Sequence, residues 1–310
     1  MPVYVIEPIS PRALARLKEA AAVVDWRDPA VGDWPEHAEG LVVRIRPVAA
    51  ADVARAKKLK VIGKHGVGFD NIPLDAARAK GITVVNTPGA NADGVAELVL
   101  GLAISAARHV VAGDRALRAG TLGKPALPVG RELAARPVGI AGFGAVGRKV
   151  AGLFSRAFDA PVIAYDPMLS ADAIRAVGAE PVASIEELLE RSAVVSLNLP
   201  LTPETRNLLD ARALARMAPD SILVNTARGG IVDELALAEA LAKGRPGAAA
   251  GDVFAVEPPP PDHPLLKLPN FIATPHLGSA TAESLDRVGL SVAEQVIDVL
   301  EGRLPPHVVC

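Results

Sequence analysis

Short apolar runs alternate with amphipathic stretches along almost the whole chain. Runs at 3–6, 41–43, 61–62 and 83–85 are continuous and rich in Val, Ile and Leu. That is the pattern of strands buried on both faces of a parallel sheet. Between them, 11–22, 50–57 and 74–80 carry helical spacing. Ser10 before Pro11 predicts a helix start, with a hydroxyl for the cap and a proline where its missing N–H is no loss. A second series opens near 138. Strands are predicted at 138–141, 162–165, 194–197, 222–224, 248–252 and 271–273, and helices at 145–158, 184–191, 210–217 and 234–243. Residues 92–111, between the two series, are apolar with few charges, so a helix packed on all sides is expected. The last helix, 281–300, is long enough to return to the first unit. Four prolines at 258–261 predict a stiff surface turn.

The pattern implies an α/β chain with two doubly wound parallel-sheet domains. Six strands with intervening helices match a complete Rossmann domain. The length of 310 residues fits two domains. Half the residues are hydrophobic but only 3% are aromatic, so Ala, Val, Leu and Ile must build the core. A net charge of −2 argues against a nucleic acid or an anionic membrane as partner. The one cysteine, Cys310, allows no intrachain disulfide and fits a reducing compartment. The first residues lack a basic region and a long apolar run, so no leader is expected; no apolar stretch reaches about 18 residues without a charge or helix breaker, so no transmembrane helix is expected, and the cytoplasm is the expected location.

Val138-Gly139-Ile140-Ala141 leads straight into Gly142-Phe143-Gly144-Ala145-Val146-Gly147. The first glycine of such a loop permits the turn, the second lets backbone approach a pyrophosphate, and the third lets helix pack on strand. Alone, the motif is weak. Here a strand precedes it, a helix follows, and Asp166 closes the next strand 24 residues after Gly142. A carboxylate there accepts from both ribose hydroxyls and repels a 2′-phosphate, which favours NAD over NADP. The bland reading of Asp166 is a turn residue before Pro167.

Downstream stand three residues with three chemistries: Arg228 in Asn225-Thr226-Ala227-Arg228, Glu257 five residues after Asp252, and His276 in Thr274-Pro275-His276. Arg228, Asp252 and His276 each follow a predicted strand closely, where open α/β sheets bind ligands. An imidazolium can protonate an oxygen as it gains charge. A carboxylate on the other ring nitrogen orients the ring and stabilises its charge. An arginine fork grips a carboxylate in bidentate fashion. A salt-bridge network at a domain edge is the bland alternative. No His-x-x-x-His pair or cysteine cluster points to a metal.

With these segments the chain resembles the D-2-hydroxyacid dehydrogenase family, the group that includes D-3-phosphoglycerate dehydrogenase and glyoxylate/hydroxypyruvate reductase. The likeness runs through 40–305 and is carried by Gly66-Val67-Gly68-Phe69-Asp70-Asn71-Ile72, Asn86-Thr87-Pro88-Gly89, Val95-Ala96-Glu97, the glycine loop, 199–205, 225–234, 252–258 and 275–279. The resemblance implies an NAD-dependent oxidoreductase acting on a small 2-keto or 2-hydroxy acid. It implies His276 as acid/base, Glu257 as its partner and Arg228 as substrate anchor. It places Gly142, Gly144, Ala145, Val146, Gly147, Asp166, Pro200, Thr205, Thr226, Ala227, Asp252 and Gly278 at the cofactor, and the backbone of Val67 and Gly68 at the substrate carboxylate. It also implies a homodimer, and a Rossmann NAD-binding domain (91–285) inserted in a flavodoxin-like substrate domain (1–90 plus 286–310). Ala145 departs from the arginine many members carry there, and Asn198 and Gly251 depart as well.

Arg44 and Lys64 end strands of the first series. They are candidates for a second polar or anionic group on the substrate, as in phosphoglycerate, sulfolactate or hydroxypyruvate, or else solvated charges. A reading from another class is an NAD(H)-sensing scaffold resembling the family's corepressor branch.

Overall fold

A computed structural model describes residues 1–121 and 128–310. The chain forms two compact units, one of Met1–Asn91 with Ser279–Cys310 and one of Ala92–Gly278. The helix Ala282–Leu300, which a boundary at 285/286 would cut, stays whole within the smaller unit.

The smaller unit holds five parallel strands: β1 (Pro2–Val5), β2 (Ala22–Asp25), β3 (Gly40–Val43), β4 (Val61–Lys64) and β5 (Thr83–Val85). Their order is β2-β1-β3-β4-β5, the flavodoxin-like order. Side chains alternate between faces, so each strand feeds two cores. Val3, Val5, Val42 and Val61 pack with Leu14, Leu17, Val292 and Val296 on one face. Tyr4, Leu41, Val43 and Ile62 pack with Trp34, Val53 and Ala77 on the other. Each buried Val, Leu or Ile contributes about 1.5–3 kcal/mol relative to exposure. Ser10 caps the helix Pro11–Ala20 by accepting from the Ala13 N–H at 3.2 Å. That helix stops two residues earlier than the pattern indicates, and β2 follows at once. The run Ala20-Ala21-Ala22 reads as helix, yet Val23 and Val24 pair with Val3 and Tyr4.

The larger unit holds seven parallel strands: β6 (Val138–Ala141), β7 (Val162–Tyr165), β8 (Glu180–Pro181), β9 (Val194–Leu197), β10 (Ile222–Asn225), β11 (Ala248–Gly251) and β12 (Phe271–Ala273). The order β12-β11-β10-β9-β6-β7-β8 is the doubly wound dinucleotide-binding order with one strand added. The two-residue edge strand β8 has no apolar run to announce it. The expected helix at 92–111 is two helices, Ala92–Ala107 and Val110–Arg118, bent by 64° at His109, whose φ is +55°. The first packs on β10, β11 and the helix Ala145–Phe158, with Val99 and Ala103 fully buried. Among the described residues no single helix is long and apolar enough to cross a membrane.

Candidate active site

The carboxyl ends of β6, β7, β9, β10, β11 and β12 carry the candidate chemistry of the larger unit. After β6, Gly142 turns with φ +88°, and a Cβ there would lie 2.6 Å from the Asn198 carbonyl oxygen. A Cβ on Gly147 would lie 2.1 Å from the Gly142 carbonyl oxygen, so helix and strand close up only over glycine. Gly144 faces open space instead. It precedes the helix Ala145–Phe158, which has no side-chain cap and no acid in its first turn. Ala145 and Val146 open that helix, whose first N–H groups and positive dipole end suit a phosphate. Asp166 accepts from the Phe143 N–H at 2.8 Å and from the Met168 N–H at 2.9 Å. Its carboxylate therefore stands beside the glycine loop while also making the bland turn, and each oxygen keeps a second acceptor position. Pro200 and Thr205 belong to one tight loop, the threonine hydroxyl donating to the Pro200 carbonyl at 2.6 Å. Thr226, buried just after β10, has a hydroxyl with no partner among the described residues. An orphaned buried hydroxyl, an open glycine and an uncapped helix fit a bound dinucleotide.

Asp252 follows β11 and is 1% exposed. One of its oxygens accepts from the Thr274 hydroxyl at 2.6 Å and the Leu277 N–H at 2.7 Å, and the other from the Gly278 N–H at 2.9 Å. Its carbonyl accepts from the His276 N–H at 2.9 Å. Asp252 thus holds the turn that presents His276. His276 has φ +55°, a left-handed conformation that costs a non-glycine residue about 1–2 kcal/mol. Its Nδ1 lies 2.7 Å from Glu257 Oε2, and Glu257 Oε1 accepts from the Phe254 N–H at 3.0 Å. Burial pushes the Glu257 carboxyl up. The bonds from His276 and Phe254 and the charges of His276 and Arg228 outweigh that and hold it below its ordinary value. Glu257 is therefore a carboxylate at neutral pH. Arg228 is half-buried and donates to the Ala227 carbonyl at 2.6 Å, while Asn225 accepts from the Ala227 N–H and donates to the Arg228 carbonyl.

Two residues that no motif singles out in the sequence stand close behind. Glu234 Oε2 lies 3.1 Å from His263 Nε2, and Glu234 Oε1 accepts from the Ala255 N–H at 2.7 Å. A cavity of about 640 Å³ opens at the other end of the strands, beside Asp220, Gly247 and Asn270, away from all of this chemistry.

In the smaller unit, Arg44 is half-buried and its N–H, with those of Ile45 and Arg46, donates to the buried Glu7 carboxylate at 2.7–3.1 Å. Lys64 is only 8% exposed. Its ammonium donates to the Arg44 carbonyl and, at 2.8 Å, to Asn71 Oδ1, tying the end of β4 to two neighbouring loops. Val67 is exposed and Gly68 half-buried, with the Val67 carbonyl accepting from Asn86 at 2.7 Å.

The sheet order and the glycine loop define a doubly wound dinucleotide-binding protein. Residues 100–278 match the sequence model of the NAD binding domain of D-isomer specific 2-hydroxyacid dehydrogenase. The D-3-phosphoglycerate dehydrogenase of Mycobacterium tuberculosis is 42% identical over 312 residues, covering 99% of this chain and 58% of that one. The hydroxypyruvate reductase of Thermotoga maritima is 43% identical over 265 residues, covering 84% of each chain. The crystal structure of a Thermus thermophilus protein superposes with a TM-score of 0.89 at 38% identity, covering 100% of both chains. The chain belongs to the D-isomer specific 2-hydroxyacid dehydrogenase family, and its larger unit is an NAD-binding domain. It spans a little over half the length of the phosphoglycerate dehydrogenases it matches.

Proposed function

We propose that the chain is an NAD-dependent dehydrogenase of small 2-hydroxy acids, with a hydroxypyruvate-, phosphoglycerate- or sulfolactate-like substrate. The observation that carries this reading is the 2.7 Å bond between His276 Nδ1 and Glu257 at the ligand end of a sheet that also bears the glycine loop. NADH, when bound, supplies the hydride to the carbonyl carbon. The carbonyl oxygen needs a proton at the same time. With Nδ1 engaged by Glu257, His276 gives that proton from Nε2 and takes it back in the reverse direction. Glu257 remains ionised and offsets the imidazolium charge. Arg228 grips the substrate carboxylate and aligns the carbonyl.

In this reading Asp166 binds the adenosine ribose. Gly142, Gly144, Ala145, Val146 and Gly147 receive the pyrophosphate. Pro200, Thr205, Thr226, Ala227, Asp252 and Gly278 complete the cofactor site. The smaller unit is the substrate domain, with the Val67 and Gly68 backbone for the carboxylate, Arg44 for a second polar group, and Lys64, whose ammonium holds the Arg44 carbonyl and Asn71, lending its charge behind them. The functional state is a homodimer.

The test is NADH oxidation against glyoxylate, hydroxypyruvate, pyruvate, phosphohydroxypyruvate and sulfopyruvate. One or more should turn over, and His276→Ala should lower kcat by about 10²–10⁴ while NADH fluorescence still reports binding. Tight NADH binding without turnover on any of them would replace this reading with an NAD(H)-sensing scaffold.

A further inference from the structure

Two histidine–carboxylate pairs stand on the same stretch of chain, and they differ in exposure. In the His276–Glu257 pair the side chains are 49% and 38% exposed. In the His263–Glu234 pair they are 12% and 17% exposed. The first pair is open to a substrate; the second is largely shielded. Burying a carboxylate is costly unless its oxygens are satisfied. Both Glu234 oxygens are: one accepts from the Ala255 N–H at 2.7 Å, the other faces His263 Nε2 at 3.1 Å. A carboxylate only accepts, so His263 Nε2 carries the proton of that bond. His263 Nδ1 is left buried without a partner among the described residues.

What this half-buried pair grips is the segment that carries Glu257. Ala255 lies two residues before Glu257, and the preceding Phe254 N–H is the one that Glu257 itself accepts. The Phe254 ring packs edge-on against His263, with centroids 5.6 Å apart, and against Phe271. From the other side, a Cβ on Gly229 would lie 2.0 Å from the Phe254 carbonyl carbon, so the Arg228 loop rests directly on the same backbone. Glu234 opens the helix Glu234–Ala242, which Asp233 caps. The 254–257 segment is therefore clamped between a helix start, a half-buried imidazole and the loop of the arginine.

We propose that Glu234 and His263 are a positioning pair that fixes the backbone at Ala255 and, through it, the aim of Glu257 at His276. This rests on the functional reading above. Neither residue touches substrate or cofactor in it. Their effect passes through the His276–Glu257 bond, where a displacement of about 1 Å can cost up to ~10²-fold in rate.

The test uses the full chain carrying Glu234→Ala, Glu234→Gln or His263→Phe, with NADH binding and the urea midpoint as checks on folding. Glutamine keeps a carbonyl oxygen for the Ala255 N–H and can donate to His263 once its ring proton moves to Nδ1. His263→Phe keeps the ring on Phe254 and removes the bond. Two readouts follow: kcat, and the ¹⁵N shifts of the His276 ring nitrogens seen through the non-exchanging ring protons. Glu234→Ala is expected to lower kcat by about 10–100-fold, leave the KM for NADH unchanged and move the His276 shifts toward an unpaired imidazole. His263→Phe should follow it, and Glu234→Gln should stay near wild type. If Glu234→Ala does not fold, His263→Phe carries the comparison. Variants that lose only urea resistance, or a glutamine no better than alanine, would overturn the proposal. Should the wild type reduce none of the 2-keto acids, the functional reading fails, and the ¹⁵N shifts still decide the brace because they need no turnover.

Discussion

Asp252 does more than its place after β11 advertises. It satisfies two backbone N–H groups and one hydroxyl of the His276 turn, and its carbonyl holds the His276 N–H. Asp252→Asn turns an acceptor into a donor facing donors. Leaving a buried N–H unsatisfied costs about 1–3 kcal/mol. Urea unfolding of the variant should show a loss of that order, with a lower kcat on whichever 2-keto acid the wild type reduces; unchanged values would mean the turn holds itself. His276 and Glu257 are legible as a pair in the sequence because each comes soon after a strand and their chemistries are complementary. Glu234 and His263 are not, because the partners are 29 residues apart and no local spacing joins them. The same holds for Lys64. The sequence shows a charge at a strand end, while the fold turns its ammonium onto Arg44 and Asn71.

At the scale of elements, long buried strands show in the apolar pattern, and weak ones do not. β2 hides behind an alanine run, β8 is a Glu-Pro dipeptide, and the break at His109 depends on a left-handed residue that no turn signal marks. One contact between elements carries a pH dependence. His65, just after β4, is buried with its Nε2 about 3.5 Å from where a Cβ on Gly289 of the helix Ala282–Leu300 would sit. Burial, and then the charges of Arg44 and Lys64, lower it to about 4, against smaller upward effects of backbone hydrogen bonds. The folded chain therefore stays unprotonated there while the unfolded chain takes up a proton below its ordinary 6.5. Stability is full above about 6.5 and falls as the pH drops toward 4, by on the order of 3 kcal/mol in all. Urea midpoints at pH 7 and 4.5 should diverge less in His65→Gln than in wild type. Equal divergence would assign the acid loss to other groups.

At the scale of the whole molecule, the larger unit is one continuous segment with its own seven-stranded sheet and two cores, whereas the smaller unit is built from both ends of the chain. Residues 92–278 expressed alone should fold and bind NADH, measured by fluorescence, without reducing any 2-keto acid. Failure to bind would mean the glycine loop depends on the smaller unit. The discontinuity also sets an order of events during synthesis. Val3, Val5, Val42 and Val61 share a core with Val292 and Val296 of the helix Ala282–Leu300, which is made well after them. At ribosomal rates of about 5–20 residues per second, roughly 10–40 s separate the appearance of residue 91 from that of residue 300. Through that interval one face of the five-stranded sheet has the helix Pro11–Ala20 but not yet the helix Ala282–Leu300. The nascent chain therefore leaves an apolar valine surface open until the helix Ala282–Leu300 arrives to cover it.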